Sequence, residues 1–427
     1  MSLLTAMSSA TTGIESSSTE LSVIGDNIAN ANTVGFKAGR AAFEDALYQS
    51  VIGGSGQVGL GSRLQAVQKV LTQGALTNTG INTDLALQGS GYFVVRGSHA
   101  GQTGSFYTRA GEFTVDKDGY MVNLEGLRVQ GYSADPTGAL SSVPGDLLVG
   151  NAQAVPVMTG TVTLRANLAA SATIPAAWDP ANPTGTSNFS TSVTVYDSLG
   201  SPHATQIFFR RSAAGSWEWH AMADGGGLTG GTAGTLTEIA SGTLTFDAQG
   251  RLSAQTQASS FNPLGANNPQ SLAFDFGDPT GAGGTGLAGM TQFDSPSAAT
   301  FVGQDGFSAG QLSGIRVEQD GAISGVFSNG QTRVLGQVAV AGFPAPDQLT
   351  RVGGNLYAAT PAAGQPVVGA PGDGGRASVV SGALEQSNVD IAEQFVRMIA
   401  AQRMFEANSK TITTVDQLLS ELIAMKR

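Results

Sequence analysis

Apolar residues recur at alternate steps of four and three near both ends of the chain. The N-terminal row is Leu3, Met7, Ala10, Ile14, Ser17, Leu21, Ile24, Ile28 and Ala31, and only Ser17 is polar. The C-terminal row is Ile391, Gln394, Met398, Ala401, Phe405, Asn408, Ile412, Val415, Leu419 and Leu422, with polar breaks at Gln394 and Asn408. A repeat of about 3.5 residues is typical of helices that pack side by side along their length. The sequence therefore predicts a coiled-coil-like pair of terminal helices, residues 1–35 and 383–427.

Between these ends the apolar positions repeat every second residue, which favours β-strands. Short alternating runs are separated by turn sequences at 116–119, 198–201 and 248–251. The predicted fold is mixed, with terminal α-helices and mainly-β central domains nested as insertions. We predict a linking segment at 36–82, a β-domain in two parts at 83–150 and 296–382, and an inserted outer β-domain at 151–295.

Short sequence motifs predict the ends of the helices, a second helix and several links. The first helix is expected to end between Asn30 and Gly35, because Asn and Gly are common just after helices. A second, shorter amphipathic helix is predicted from Arg40 to Ile52. Links rich in glycine or proline are predicted at 53–62 and 361–376, and a long loop at 262–289. Ser387, with an acidic residue three positions later, predicts the N-cap of the C-terminal helix.

The N-terminal helix is poor in strong helix formers. It contains many serines and threonines, which disfavour an isolated helix. We expect this helix to become ordered only when partner helices cover its apolar row. The alternative interpretation is a helix docked on its own chain.

Composition narrows the classes of function. Charged residues make up 12% of the chain and the net charge is −11, with no basic stripe, so we expect no nucleic-acid partner. No apolar run is long enough to cross a bilayer, and no cleaved signal peptide is evident, so no membrane insertion is expected. The sequence contains no cysteine, which removes disulfide and thiol chemistry.

No motif in the chain carries recognisable catalytic chemistry. Two G-x-G-x-x-G strings, at 54–59 and 281–286, lack the strand before and the helix after that a dinucleotide site needs. The three histidines, His99, His203 and His220, are far apart in sequence, and each is better explained as a satisfied surface or core residue than as a ligand or base. We therefore expect no enzyme activity, no cofactor and no metal.

Motifs at both ends resemble a known family. Residues 26–37 (Asp-Asn-Ile-Ala-Asn-Ala-Asn-Thr-Val-Gly-Phe-Lys) resemble the N-terminal signature of the flagellar rod and hook proteins. Residues 382–390 (Gly-Ala-Leu-Glu-Gln-Ser-Asn-Val-Asp) and 398–403 resemble the C-terminal signature of that family. Residues 84–93 and 108–113 are similar to the β-domain that the family shares, and 194–200 to the outer domain of its hook members. The chain's length and its inserted domain favour the hook members over the shorter distal rod proteins.

The resemblance implies a structural subunit outside the cell, in the flagellar hook and basal body. Such a subunit polymerises into a hollow, flexible universal joint that passes torque from rod to filament. The implied partners are further copies of the chain, the distal rod protein, the hook cap protein, the hook–filament junction protein and the flagellar type III export apparatus. The alternatives are a distal rod protein of the same family and, in a different class, a secreted β-rich enzyme or adhesin.

We expect the residues of the two apolar rows and of the N-terminal signature to carry self-assembly. They are Leu3, Met7, Ile14, Leu21, Ile24, Asn27, Ile28, Asn30, Gly35, Phe36, Ile391, Phe395, Met398, Phe405, Ile412, Val415, Leu419 and Leu422.

Overall fold

The computed structural model describes residues 3–50 and 57–425. Two long helices, α1 (Leu3–Ala29) and α2 (Ile391–Met425), flank a region of strands. In the first part of the chain the strands are β1 (Gly39–Ser50), β2 (Gln57–Lys69), β3 (Leu76–Asn78), β4 (Leu85–Gln88), β5 (Tyr92–His99), β6 (Gln102–Thr108), β7 (Phe113–Val115), β8 (Met121–Asn123), β9 (Arg128–Ser133), β10 (Gly145–Asp146) and β11 (Gln153–Ala154).

The later strands are β12 (Thr161–Asn167), β13 (Phe189–Tyr196), β14 (Pro202–Ala213), β15 (Ser216–Asp224), β16 (Leu236–Phe246), β17 (Leu252–Ser259), β18 (Ala273–Asp275), β19 (Ala298–Gln304), β20 (Gly310–Val317), β21 (Ala322–Phe327), β22 (Thr332–Val338), β23 (Val340–Gly342), β24 (Thr350–Gly353), β25 (Leu356–Ala358), β26 (Val367–Gly369), β27 (Ser378–Ser381) and β28 (Ala383–Glu385). The predicted fold class, terminal helices around mainly-β domains, is confirmed.

The chain divides into two compact units. The first contains Met1–Ala152, Ser313–Val326 and Thr332–Arg427, and therefore both helices. The second contains Gln153–Leu312 and Phe327–Gln331. Over the described residues, neither helix is both long enough and apolar enough to cross a membrane.

In the first unit the two helices pack antiparallel. Asn27, near the end of α1, bonds to Gln394 near the start of α2, while Gly13 faces Asn408 much later in α2. A Cβ atom at Gly13 would lie 2.5 Å from Asn408 Nδ2, so the small residue permits a close approach. The contact between the helices buries members of both predicted rows. On α1 these are Ala10, Ser17 and Ile24, each seven residues after the last; on α2 they are Gln394, Ala401 and Val415, which are seven and fourteen residues apart.

Most of the apolar row of α1 is buried or half-buried within the chain, as the alternative interpretation of this helix expected, while Met7 is 41% exposed. A ribbon of β1 and β2 also lies along α1: Thr12 Oγ1 donates to the Leu60 carbonyl over 3.3 Å, and the Ser16 and Ser62 hydroxyls are 2.9 Å apart. Ordering of the pair on assembly stays a prediction.

The predicted helix from Arg40 to Ile52 is wrong over its described part, because residues 39–50 form strand β1. β1 pairs antiparallel with β2, with Arg40 opposite Gln68 and Ala42 opposite Ala66. Register shifts after Ala42 and after Asp45 interrupt the two-residue alternation, which hid the strand from a periodicity argument. Of the predicted link at 53–62, residues 53–56 lie outside the described residues and 57–62 begin β2.

The end of α1 and the N-cap of α2 lie close to the predicted positions but not at them. α1 ends at Ala29, one residue before the predicted range, and the Asn30 side-chain amide donates to the Asp26 carbonyl at this end. The N-cap of α2 is Asp390, whose carboxylate accepts from the Ala392 and Glu393 amides at 2.8 and 3.2 Å. The predicted cap, Ser387, lies before the helix.

The β-structure of the first unit is built around β5, which pairs with β6, β9 and β23. The predicted hairpin of β7 and β8 is present, and the Asp116 carboxylate accepts from the Asp118 and Tyr120 amides to fix its turn. Two distant pairings, β4 with β27 and β3 with β28, bring residues near 80 beside residues near 380. The predicted link at 361–376 is partly wrong, because it contains β26, which pairs with β23.

The second unit contains a five-stranded antiparallel sheet in the order β13–β14–β15–β16–β17 and a smaller sheet in the order β18–β12–β19. Trp217, Trp219 and Phe209 fill its core without exposure. The predicted turns after β13 and β16 are present, held by the carboxylates of Asp197 and Asp247. The predicted loop at 262–289 contains β18, whose three residues are too few to show an alternation.

An aromatic cluster in the first unit buries a phenol. Tyr92 is 4% exposed, and its ring centroid lies 5.6 Å from that of Tyr357 and 6.1 Å from that of Phe343. Burial, reinforced by Tyr357, raises the pKa of Tyr92 to about 12. The folded chain therefore keeps this proton at pH values where the unfolded chain loses it.

We predict that Tyr92 weakens the protein at alkaline pH. The pKa of the Tyr92 phenol is higher in the folded chain than in the unfolded chain. The stabilising contribution of the protonated phenol is therefore complete below the unfolded pKa, ~10, and is lost as pH rises towards the folded value. Tyr92→Phe should lack this loss. The difference in unfolding free energy between variant and wild type should move in the variant's favour by about 2 kcal/mol from pH 8 to about pH 11.5. Denaturant unfolding at the two pH values measures it, and a pH-independent difference would contradict the assignment.

Candidate assembly surface and its joint to the β-domain

The amide of Asn27 connects three elements at the end of α1. Its Nδ2 donates to the Gly39 carbonyl over 2.8 Å and to Gln394 Oε1 over 3.0 Å, and its Oδ1 accepts from the Gly39 amide over 2.8 Å. The side chain is 1% exposed. An amide can donate and accept at once, which a carboxylate or an aliphatic side chain cannot do. Asn27 therefore ties α1 to β1 and to α2.

A buried ionic cluster lies beside this amide. Glu385, at the end of β28, is fully buried; its Oε1 is 2.5 Å from Lys37 Nζ and its Oε2 is 3.1 Å from Arg109 Nη1. Glu385 Oε1 also accepts from the Gly74 amide over 2.9 Å, and Lys37 Nζ donates to the Thr72 carbonyl over 2.8 Å. Burial lowers the pKa of Lys37, and the contact with Glu385 opposes that effect. One carboxylate thus compensates two buried cations.

The chain between α1 and β1 is fixed by close contacts with the segment before α2. The Gly35 amide donates to the Glu385 carbonyl over 2.7 Å, with φ of 69°. A Cβ at Gly35 would lie 2.6 Å from the Ala110 nitrogen, so only glycine fits without displacement. Asn388 accepts from the Ala38 amide and donates to the Val70 carbonyl, each over 2.8 Å.

These contacts define a joint, formed by Asn27, Gly35, Lys37, Arg109, Glu385 and Asn388. The joint brings the two end motifs of the sequence together, although some 350 residues separate them. Its hydrogen bonds are directional, so they fix the angle at which the helix pair leaves the β-structure.

The structure distributes the predicted self-assembly residues over three environments. Ile24, Asn27, Gly35, Phe36 and Val415 are buried within the chain, and several of them lie in or beside the joint. The half-buried residues are Leu3, Ile14, Leu21, Ile28, Asn30, Met398, Ile412 and Leu419. The exposed ones are Met7, Ile391, Phe395 and Phe405. Leu422 lies in α2, and its side chain is outside the described set.

Part of the exposed apolar surface of α2 was not predicted from the sequence. Val396 is 68% exposed and Ile399 52%, and neither belongs to the row that faces α1. A second row at heptad spacing, Ala400, Met404, Ala407, Thr411, Thr414 and Leu418, is also exposed. Its members are mostly small or polar, so its periodicity is weak. The contacts among Lys37, Arg109 and Glu385 were not predicted either. The only signal in the sequence was that these three charged residues lie in the family motifs of a chain with few charges.

The three histidines and the two glycine strings, for which no chemical role was expected, lie in ordinary structural surroundings. Each histidine lies beside one carboxylate: His99 with Glu125 at 2.8 Å, His203 with Asp197 at 3.2 Å and His220 with Glu238 at 2.7 Å. Of the first glycine string, Gly54 and Gly56 lie outside the described residues and Gly59 is in β2. Part of the second string forms a short 3-10 helix, Thr280–Ala282.

Four family models match successive parts of the chain. They are the models described as "Flagella basal body rod protein" at residues 7–37, "Flagellar hook protein FlgE/F/G D1 domain" at 86–178, "Flagellar basal body protein FlaE D2 domain" at 167–307 and "Flagellar basal body rod FlgEFG protein C-terminal" at 380–425. Paired end helices around nested β-domains, with these matches, define the class of flagellar rod and hook proteins.

Full-length relatives narrow this class. The chain is 34% identical to the flagellar hook protein FlgE of Treponema pallidum over 471 aligned positions, which cover 100% of both chains. It is 32% identical to the FlgE of Escherichia coli over 425 positions, covering 99% of this chain and 100% of the relative. The chain belongs to the flagellar hook protein family, as a structural subunit of the hook in the flagellum.

A solved structure, the hook protein FlgE2 of Helicobacter pylori, is similar with a TM-score of 0.49 at 16% identity. The match covers 73% of this chain and 100% of that one.

We predict that Glu385→Gln destabilises the first unit by about 3–5 kcal/mol, because it leaves two buried cations without a counter-charge. The matched control is Glu393→Gln in α2, where an exposed carboxylate is 2.7 Å from Arg397. Such a pair contributes under about 1 kcal/mol. Denaturant unfolding of both variants measures the difference. Similar losses in the two variants would show that the cluster does not support the joint.

Proposed function

We propose that the faces of α2 that do not contact α1 join copies of the chain in the hook polymer. The supporting observation is a patch of large apolar side chains in the first half of α2. Phe395, Val396 and Ile399 are 49%, 68% and 52% exposed, and Ile391 lies one helical turn before them. Residues four apart lie on one helix face, so these side chains form a continuous surface. Exposed apolar patches of this kind mark interaction sites.

A second contact face supports the same proposal. The row from Ala400 to Leu418 has the four-and-three spacing of a coiled-coil seam and is rotated around α2 away from α1. Small residues in such a row let a second helix approach closely. α2 therefore has one seam for its own α1, together with two surfaces for helices of other copies.

Contacts between different surfaces of identical subunits generate a helical polymer when the rotation between copies does not close into a ring. In the proposed arrangement the helix pairs form the innermost layer around a channel. The β-structure of the first unit forms the wall around them. The low charge of the chain suits sliding contacts between outer surfaces, because few ion pairs have to break when the polymer bends.

The remaining proposed partners follow from the position of a hook subunit in the flagellum. We propose contacts with the distal rod protein below, the hook–filament junction protein above and the hook cap protein at the growing tip, and no catalytic activity. Export unfolded through the flagellar type III apparatus is supported by the weak helix formers of α1, such as Ser8, Ser9 and Thr11, which lower its stability before it has partners.

The test removes the apolar patch without touching the joint. A triple variant, Phe395→Ser, Val396→Ser and Ile399→Ser, should remain folded as a monomer, since these side chains are exposed. Its critical concentration for polymerisation should rise at least about tenfold, because about 1.4 kcal/mol of lost contact energy corresponds to a factor of ten.

Sedimentation and electron microscopy of seeded samples measure polymerisation, and circular dichroism checks the fold. Gln402→Ser, which changes an exposed polar side chain of the same helix and removes no apolar group, is the matched control and should raise the critical concentration far less than the triple variant does. Unchanged polymerisation of the triple variant would refute the proposed surface.

A further inference from the structure

A groove of about 490 Å³ lies in the first unit, between α1, β2 and β24. It is separate from the exposed faces of α2. The lining residues are Ser22, Val23, Asp26, Gly39, Val67, Lys69 and Arg351. Val23 and Val67 give the groove an apolar floor, while Lys69 and Arg351 place two cations on its wall.

Both cations are held in position mainly by backbone carbonyls. Lys69 Nζ donates to the Asp347 carbonyl over 2.9 Å and to the Leu349 carbonyl. The Arg351 guanidinium lies over the ring of Phe36, 4.7 Å from its centroid, and donates to the Lys37 carbonyl. Carbonyl partners fix the geometry of a cation but do not neutralise its charge. The two side chains are thus preorganised and retain donors.

The nearby carboxylates compensate these charges only weakly. Asp26 Oδ2 is 3.5 Å from Arg351 Nη1, and the Asp26 side chain is 55% exposed. Burial and the adjacent Arg351 charge lower the pKa of Lys69, and Asp347 offsets this only in part. An additional carboxylate between Lys69 and Arg351 would gain two charge-assisted contacts.

We propose that this groove binds an exposed Asp or Glu side chain of a second copy of the chain. The inference rests on the proposed polymerisation and names a further contact in it. The chain carries 32 acidic residues against 21 basic ones, so its surface is complementary to a cationic groove. A small anion would leave Val23 and Val67 exposed, whereas a neighbouring side chain brings methylene groups that cover them. The groove also borders α1, which belongs to the helix pair that assembles.

The direct test is carbodiimide coupling in polymers grown from a mixture of ¹⁵N-labelled and unlabelled chains. This reagent joins a lysine amine to a carboxylate in contact, with net loss of water. We expect peptides in which Lys69 of one isotope is joined to an acidic residue of the other, and we expect them in the polymer but not in the monomer. The other lysines are few (Lys37, Lys117, Lys410 and Lys426), so the assignment is unambiguous.

Polymers in which Lys69 stays unlinked, or links only within its own copy, would overturn the groove proposal and leave polymerisation intact. Failure to polymerise at all would overturn both proposals. Protection of Lys69 by inorganic phosphate in the monomer, without links in the polymer, would identify a small-anion site and also overturn the proposal.

A variant gives an independent measurement. Lys69→Met should raise the critical concentration severalfold and flatten its dependence on salt, because an ion pair between copies is lost. Lys117→Met, where the amine is 2.8 Å from its own neighbour Asp118, is the matched control and should change neither quantity. Thermal unfolding of the monomers separates an effect on folding. An unchanged salt dependence in a folded Lys69→Met chain would overturn the proposal.

Discussion

The buried carboxylate of Glu385 is the interaction on which the arrangement of the first unit depends. Its two oxygens contact Lys37, which follows α1, and Arg109, which follows β6, while its backbone carbonyl accepts from Gly35. The residue stands at the end of the last strand, shortly before α2. This one residue therefore connects the segment after α1, the end of β6 and the segment before α2. Apolar packing alone would tolerate a range of angles between helix pair and sheet, whereas charge-assisted hydrogen bonds have direction as well as strength.

α2 has different kinds of side chain on the face that packs against α1 and on its exposed faces. In the first half of α2, the buried positions that face α1 are Gln394 and Ala401, a polar and a small residue, and Ala401 permits close packing. The larger apolar side chains, among them Phe395 and Ile399, point elsewhere and remain exposed. A helix pair that satisfied all its apolar groups internally would have no reason to join a polymer. Uncovered apolar area is tolerable in a subunit whose working state is the assembly.

Sequence reasoning succeeded where the signal was local and periodic. The heptad rows predicted both helices, and Asp-containing turns predicted hairpins such as that of β7 and β8, because each depends on residues close in the chain. It failed for β1, where register shifts broke the alternation. It also missed the joint, since Lys37 and Glu385 are 348 positions apart and nothing local links them. The exposed faces of α2 were predicted only in part: Ile391 and Phe395 were included, but Val396, Ile399 and the second row were not, because the periodicity of that row is weak.

The antiparallel packing of α1 and α2 determines when their contacts can form. Asn27 contacts Gln394 and Gly13 faces Asn408, so the beginning of the polypeptide lies against its last turns. A chain that is delivered lengthwise cannot close this pair until its final segment arrives, whichever tip emerges first. Nearly the whole molecule must be in place before the contacts between α1 and α2 form. A half-delivered molecule therefore lacks the contacts between α1 and α2.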